Sequence, residues 1–96
     1  MKFEIISELN EKQSVHYYCI LTQNHRYDLS ITYSNYFLGK AMVTSLQSGR
    51  MVLLCTDDIS IEQNWARALD IEEDDIQEFQ DFFKMVLQSS ALQEQY

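Results

Sequence analysis

Between Tyr27 and Ser34 the chain alternates, with Tyr27, Leu29, Ile31 and Tyr33 on one side and Asp28, Ser30, Thr32 and Ser34 on the other. That is the period of a strand with one buried face. Ser14 to Thr22 alternates too, but both sides are apolar: Val15, Tyr17, Cys19 and Leu21 oppose Tyr18 and Ile20. Gln23-Asn24-His25 is a tight connection between these two strands, with Asn24 suited to a left-handed backbone. Ala41 to Leu46 and Met51 to Cys55 form a second pair, joined at Gln47-Ser48-Gly49-Arg50, where Ser-Gly suits a two-residue hairpin turn. Lys2 to Ser7, with Phe3 and Ile5 on one side, predicts a short strand or an arm.

After Cys55 the period changes. Thr56-Asp57-Asp58-Ile59-Ser60 is polar punctuation, and Ser60 with Gln63 fits a capping box. Ile61, Trp65, Ala68 and Leu69 then mark one stripe of a helix near residues 60–70. Glu72-Glu73-Asp74-Asp75 suits the first turn of a second helix near 73–90, carrying Ile76, Phe79, Phe83 and Val86 and fraying towards Tyr96. The order predicts an α+β fold: a single antiparallel sheet of four or five strands within residues 2–56, followed by two C-terminal helices. A parallel sheet would need crossover helices between the strands, and the pattern has none.

Length makes this one domain over residues 1–96, with room for a single core. A hydrophobic fraction of 46% argues for a folded chain despite the net charge of −8. Fifteen acids against seven bases disfavour nucleic acid and anionic membranes as partners, since both select basic patches. The N-terminus has no signal-peptide pattern and no stretch approaches the ~20 apolar residues of a membrane span, so the expected location is cytoplasmic. Cys19 and Cys55 each sit in an apolar strand pattern, which predicts reduced and mostly buried thiols.

The chemistry-bearing residues form no familiar constellation. There is no CxxC, HExxH, GxSxG or glycine-rich phosphate loop, which predicts no catalytic residue, no metal and no cofactor. Asp57-Asp58 reads as a cap and turn, and His16 and His25 as surface or satisfied strand residues. Gly39-Lys40 and Gly49-Arg50 each place a base after a turn glycine, which suits an anion site at a sheet end. Together with Arg26, Asp28, Asp57 and Asp58 they make a candidate polar site of six residues.

Arg26-Tyr27-Asp28-Leu29-Ser30-Ile31, Phe37-Leu38-Gly39-Lys40, Leu46-Gln47-Ser48-Gly49-Arg50 and Asp57-Asp58, in this order and spacing, carry a resemblance. Over roughly residues 15–87 the chain resembles a family of short cytosolic Firmicutes proteins known as domain of unknown function 3055. The resemblance implies a bacterial cytosolic protein and brings no activity, cofactor or catalytic residue to any position.

The residues thus predict an interaction or regulatory module, not an enzyme, that works as a homodimer or higher homo-oligomer, with a further protein partner as an option. The reason is a count of faces: helices on one side leave one apolar set of strand residues uncovered. Tyr18, Ile20, Val52 and Leu54 are the candidate interface. The alternative is a small-molecule or anion-binding protein, or a small enzyme, using the six polar residues at one end of the sheet.

Overall fold

A computed structural model of the protein describes residues 2–93. Four antiparallel strands, β1 (Ser14–Leu21), β2 (Arg26–Tyr33), β3 (Ala41–Ser45) and β4 (Met51–Leu54), form a meander in the order β1-β2-β3-β4. The helix α1 (Ile76–Gln93) closes the described chain. The fold is therefore α+β with an antiparallel sheet, as the periods predict. Four differences have physical causes.

First, Lys2 to Ser7 is not a strand. The segment lies outside the sheet, and it pairs with neither of the outer strands, β1 and β4. Phe3, Ile5, Ile6 and Leu9 are left exposed.

Second, residues 60–70 do not form a helix. Only a 3-10 turn at Glu62–Asn64 and a few α-type bonds, Ala66 N–H to Glu62 O and Leu69 N–H to Trp65 O, are made. A Schellman arrangement ends the turn: Ile71 N–H bonds Ala66 O and Asp70 N–H bonds Arg67 O, with Asp70 left-handed at φ 58°. Two turns that bury Trp65, Ala66 and Leu69 suffice, and a longer helix would carry the chain past the sheet. The expected cap at Ser60 is absent; Ile61 precedes that turn, and the reach-back is made earlier, by Asp58 accepting the Cys55 N–H at 3.0 Å.

Third, the β3–β4 connection has five residues, Leu46–Arg50, instead of a two-residue turn. Ser45 N–H bonds Arg50 O and Gly49 N–H bonds Ser45 O, with Gly49 at φ 74°, a left-handed position where a side chain would be strained. Asn24 is not left-handed; outside glycine only Leu38 and Asp70 are, among the described residues.

Fourth, the second helix is displaced: Glu73–Asp75 is a 3-10 turn leading into α1. The fraying expected towards Tyr96 lies outside the described residues.

The core lies on one side of the sheet. Tyr27, Leu29, Ile31, Ala41, Val43 and Leu54 meet Trp65, Leu69, Phe79, Phe83, Val86 and Leu87 in one cluster. The α1 stripe is aromatic where it crosses the strands. Phe79 stands edge-on to Tyr27 at 4.9 Å, Phe82 to Tyr18 at 5.1 Å and Phe83 to Trp65 at 5.3 Å between ring centres. Trp65 is fully buried, and its Nε1 donates to Ile59 O, an oxygen that also accepts from Gln80 on α1.

Trp65 thus joins the loop segment to the helix, and Trp65→Ala is expected to destabilise the fold by about 3–5 kcal/mol in urea unfolding. Leu38→Gly is expected to have the opposite sign. Leu38 is exposed at φ 55°, and glycine there relieves roughly 0.5–1 kcal/mol of strain without touching the core.

Candidate functional site

The sheet has two ends, and the six predicted polar residues divide between them. Arg26 opens β2, Asp28 lies two residues on, and Arg50 precedes β4, all at the end formed by the β1–β2 and β3–β4 turns. Lys40 precedes β3 while Asp57 and Asp58 follow β4, at the opposite end. The six do not converge.

Each half has a local task. The Asp28 carboxylate accepts from Gln47 Nε2 at 2.9 Å and lies 3.4 Å from Arg26, and Gln47 Oε1 accepts the Asp28 N–H, so the pair staples the β3–β4 loop to β2. At the other end, Asp58 accepts the Cys55 N–H and sits 3.1 Å from Lys40 Nζ. Those contacts, the Cys55 N–H first, hold its carboxyl below the usual carboxylate range. Asp58 is thus the cap predicted for it, with Lys40 tied to it.

The most buried acid among the described residues is Asp75, which the sequence marks only as one of four acids at a helix start. Asp75 is 4% exposed at the entry to α1, and one carboxylate oxygen accepts both the Tyr27 hydroxyl, at 2.6 Å, and His25 Nδ1, at 2.9 Å. Tyr27 in turn accepts the Glu72 N–H at 3.1 Å. Three segments meet there: the β1–β2 turn, β2, and the approach to α1. The Tyr27 hydrogen bond, ahead of His25, holds the Asp75 carboxyl below its ordinary range. Burial, reinforced by Asp75, pushes the Tyr27 phenol up to about 12.

Beside this network lies a cleft of about 180 Å³ lined by His25, Arg26, Tyr27, Gln47, Asp70 and Glu72, among others. Of the six predicted polar residues only Arg26 lines it. Donor atoms of His25, Asp74 and Asp75 also fall within 4.8 Å of one another, one imidazole nitrogen and two carboxylates of the kind that hold a divalent cation. Asp75 Oδ2 already accepts two hydrogen bonds, from His25 and Tyr27, so the carboxylate first serves to seat the β1–β2 turn on α1. His25 and Asp75 are 50 residues apart, a separation no spacing motif spans.

The predicted interface residues lie on the covered side. Leu54 is fully buried, and Tyr18, Ile20 and Val52 are half-buried against the core. The uncovered side carries the opposite set: Val15, Tyr17, Cys19 and Leu21 of β1, then Met51 and Leu53 of β4. Both cysteines are free, as predicted, but Cys19 is exposed and Cys55 half-buried, because Cys19 has the parity of the bare side.

The buried network predicts an acid-sensitive fold. The folded-state pKa of Asp75 is depressed, so its stabilisation is complete above the ordinary carboxylate range and is lost as the pH falls below it. Tyr27→Phe removes the hydroxyl from both Asp75 and the Glu72 N–H and is expected to cost about 1–3 kcal/mol at neutral pH. Between about pH 6 and about pH 3 the variant should lose less further stability than the parent in urea unfolding. Equal losses in the two proteins would show that this bond does not carry the effect.

No helix among the described residues is long and apolar enough to cross a membrane. No curated protein matches the chain. Over residues 7–85 the pattern of a known family matches, and the chain belongs to the SAV0927-like family.

Proposed function

We propose that the protein is a small bacterial cytoplasmic interaction module that works by associating with itself. The observation that carries this reading is the side of the sheet that α1 leaves bare. Tyr17 and Leu21 are each 74% exposed there and Met51 57%, all on regular strands. Side chains so placed forgo about 25 cal/mol for every Å² of apolar surface kept in water, which a second copy can recover. The N-terminal segment does not supply the cover, since its own Phe3, Ile5, Ile6 and Leu9 are exposed as well. The acidic balance opposes nucleic acid and anionic lipid as alternatives. The resemblance to domain of unknown function 3055 and the SAV0927-like match are read as one family under two descriptions.

A second reading is favoured by the cleft beside His25 and Asp75, whose mixed lining of Arg26, His25, Gln47 and Glu72 suits a small polar ligand. It replaces the six-residue site, which the fold splits between two ends.

Light scattering at tens of micromolar should give at least twice the 11.4 kDa mass of one chain. A mass of 11.4 kDa throughout would overturn the interaction reading and leave the cleft as the better account.

A further inference from the structure

We infer that two copies join edge to edge, β1 against β1 antiparallel across a two-fold axis at Tyr18, forming one continuous eight-stranded sheet. The inference rests on the self-association proposed above and names its surface. It grows out of three features of β1.

The strand is an open edge. β1 is outermost in the sheet, it has eight residues, and no other strand lies beside it among the described residues. One row of its backbone N–H and C=O groups is therefore unpaired with protein. Natural edges are blunted by lysine, proline, a bulge or brevity. β4, the other edge, is blunted by having only four residues. SVHYYCIL has none of these guards.

Charge selects the same place. Residues 13–25 contain no Asp, Glu, Lys or Arg, the longest such run in the sequence, and β1 lies wholly within it. Two chains of net charge −8 repel one another, and pairing through β1 brings no charged side chain of either strand into the contact. A strand pairing antiparallel with its own copy is also self-complementary, which a two-fold interface requires.

The third feature decides between edge pairing and stacking of the two bare sides. Across the sheet the bare side reads Tyr17, Ser30, Thr44, Met51 in one row and Val15, Thr32, Met42, Leu53 in the next. Its centre is hydroxyl-bearing, and a stacked copy would take the half-exposed Thr32 and Thr44 out of water. Its most exposed apolar side chains, Tyr17 and Leu21, stand on β1 itself. On the covered side, Tyr18 and Ile20 are half-buried at the margin of the core with Phe82 against Tyr18, so a second sheet edge and helix extend that core.

The register follows from parity, because opposed residues share a side of the sheet and the axis must pass through a residue. Placed at Tyr18 it sets Val15 opposite Leu21 and Tyr17 opposite Cys19; placed at Tyr17 it would set Leu21 opposite Gln13. The first pairs apolar with apolar. It leaves the two Cys19 residues diagonal to each other, roughly 8 Å apart between Cα atoms.

The test uses the full chain. In a Cys55→Ser background, a short bismaleimide should convert most of the protein to a covalent dimer through Cys19, and Cys19→Ser should abolish it. Tyr17→Lys with Cys19→Lys, two exposed positions, should give a monomeric mass with an unchanged far-ultraviolet circular dichroism spectrum. Met51→Lys with Leu53→Lys, on the bare side but near β4, should leave the dimer intact. A dimer that Cys19 does not cross-link, or that dissociates with the β4 pair and not the β1 pair, overturns the edge pairing while self-association stands. A parent protein that is monomeric overturns both.

Discussion

A sheet has two sides, and this chain supplies one long amphipathic helix to cover them. Phe79, Phe83, Val86 and Leu87 of α1, joined by Trp65 and Leu69 from the connecting segment, bury the side that carries Leu29, Ile31, Val43 and Leu54. That choice determines what remains outside. Because side chains on a strand alternate with period two, every residue between two covered ones is left on the bare side, whatever its hydrophobicity. On β2 and β3 this falls largely on Ser30, small enough to be buried among its neighbours, and on Thr32 and Thr44, which keep contact with water. On β1 it falls on Val15, Tyr17, Cys19 and Leu21, so the apolar surface left in water gathers at the edge of the sheet.

The position of α1 is set by more than apolar contact. Aromatic packing tolerates sliding along the sheet, whereas a buried carboxylate does not, since a small displacement would leave the charge without its donors. Asp75 accepts from Tyr27 on β2 and His25 in the β1–β2 turn, so the helix start, the central strand and the turn are held in one arrangement. The Glu72 N–H bond to Tyr27 fixes the hydroxyl from the other side. The cleft beside this network is bounded by the same segments, and its shape depends on the same bonds. A site for a small ligand and a fastening for the helix occupy one corner of the molecule.

At the opposite end of the sheet the chemistry is plainer. Lys40, Asp58 and the Cys55 N–H form a capped turn where β4 leaves the sheet. Asp57 and Asp58 look like a cation site in isolation, yet Asp58 is committed to backbone and lysine. The division of the polar residues between two ends removes the geometric basis for a joint catalytic centre built from them.

Local pattern alone determined the strands from Ser14 to Leu54, the face of β2 that turns inward and the stripe of α1, because period two and period 3.6 are properties of neighbouring residues. It also determined that Asp58 caps a turn, a contact made three residues away. Tertiary structure decided the rest. Trp65 carries a helical stripe in the sequence, but its segment folds as short turns because it must bring Trp65 and Leu69 onto the core and return the chain to α1. For β1, with apolar residues of both parities, no local rule says which set faces inward; the side on which α1 lands puts Tyr18 and Ile20 in the core margin and Tyr17 and Leu21 in water. Asp75 reads as one acid among many at a helix start, and only the return of β2 beneath it makes it a buried partner of Tyr27 and His25. Burial and long-range hydrogen bonds join residues that the sequence holds far apart, and they arise only once the helix has chosen a side of the sheet.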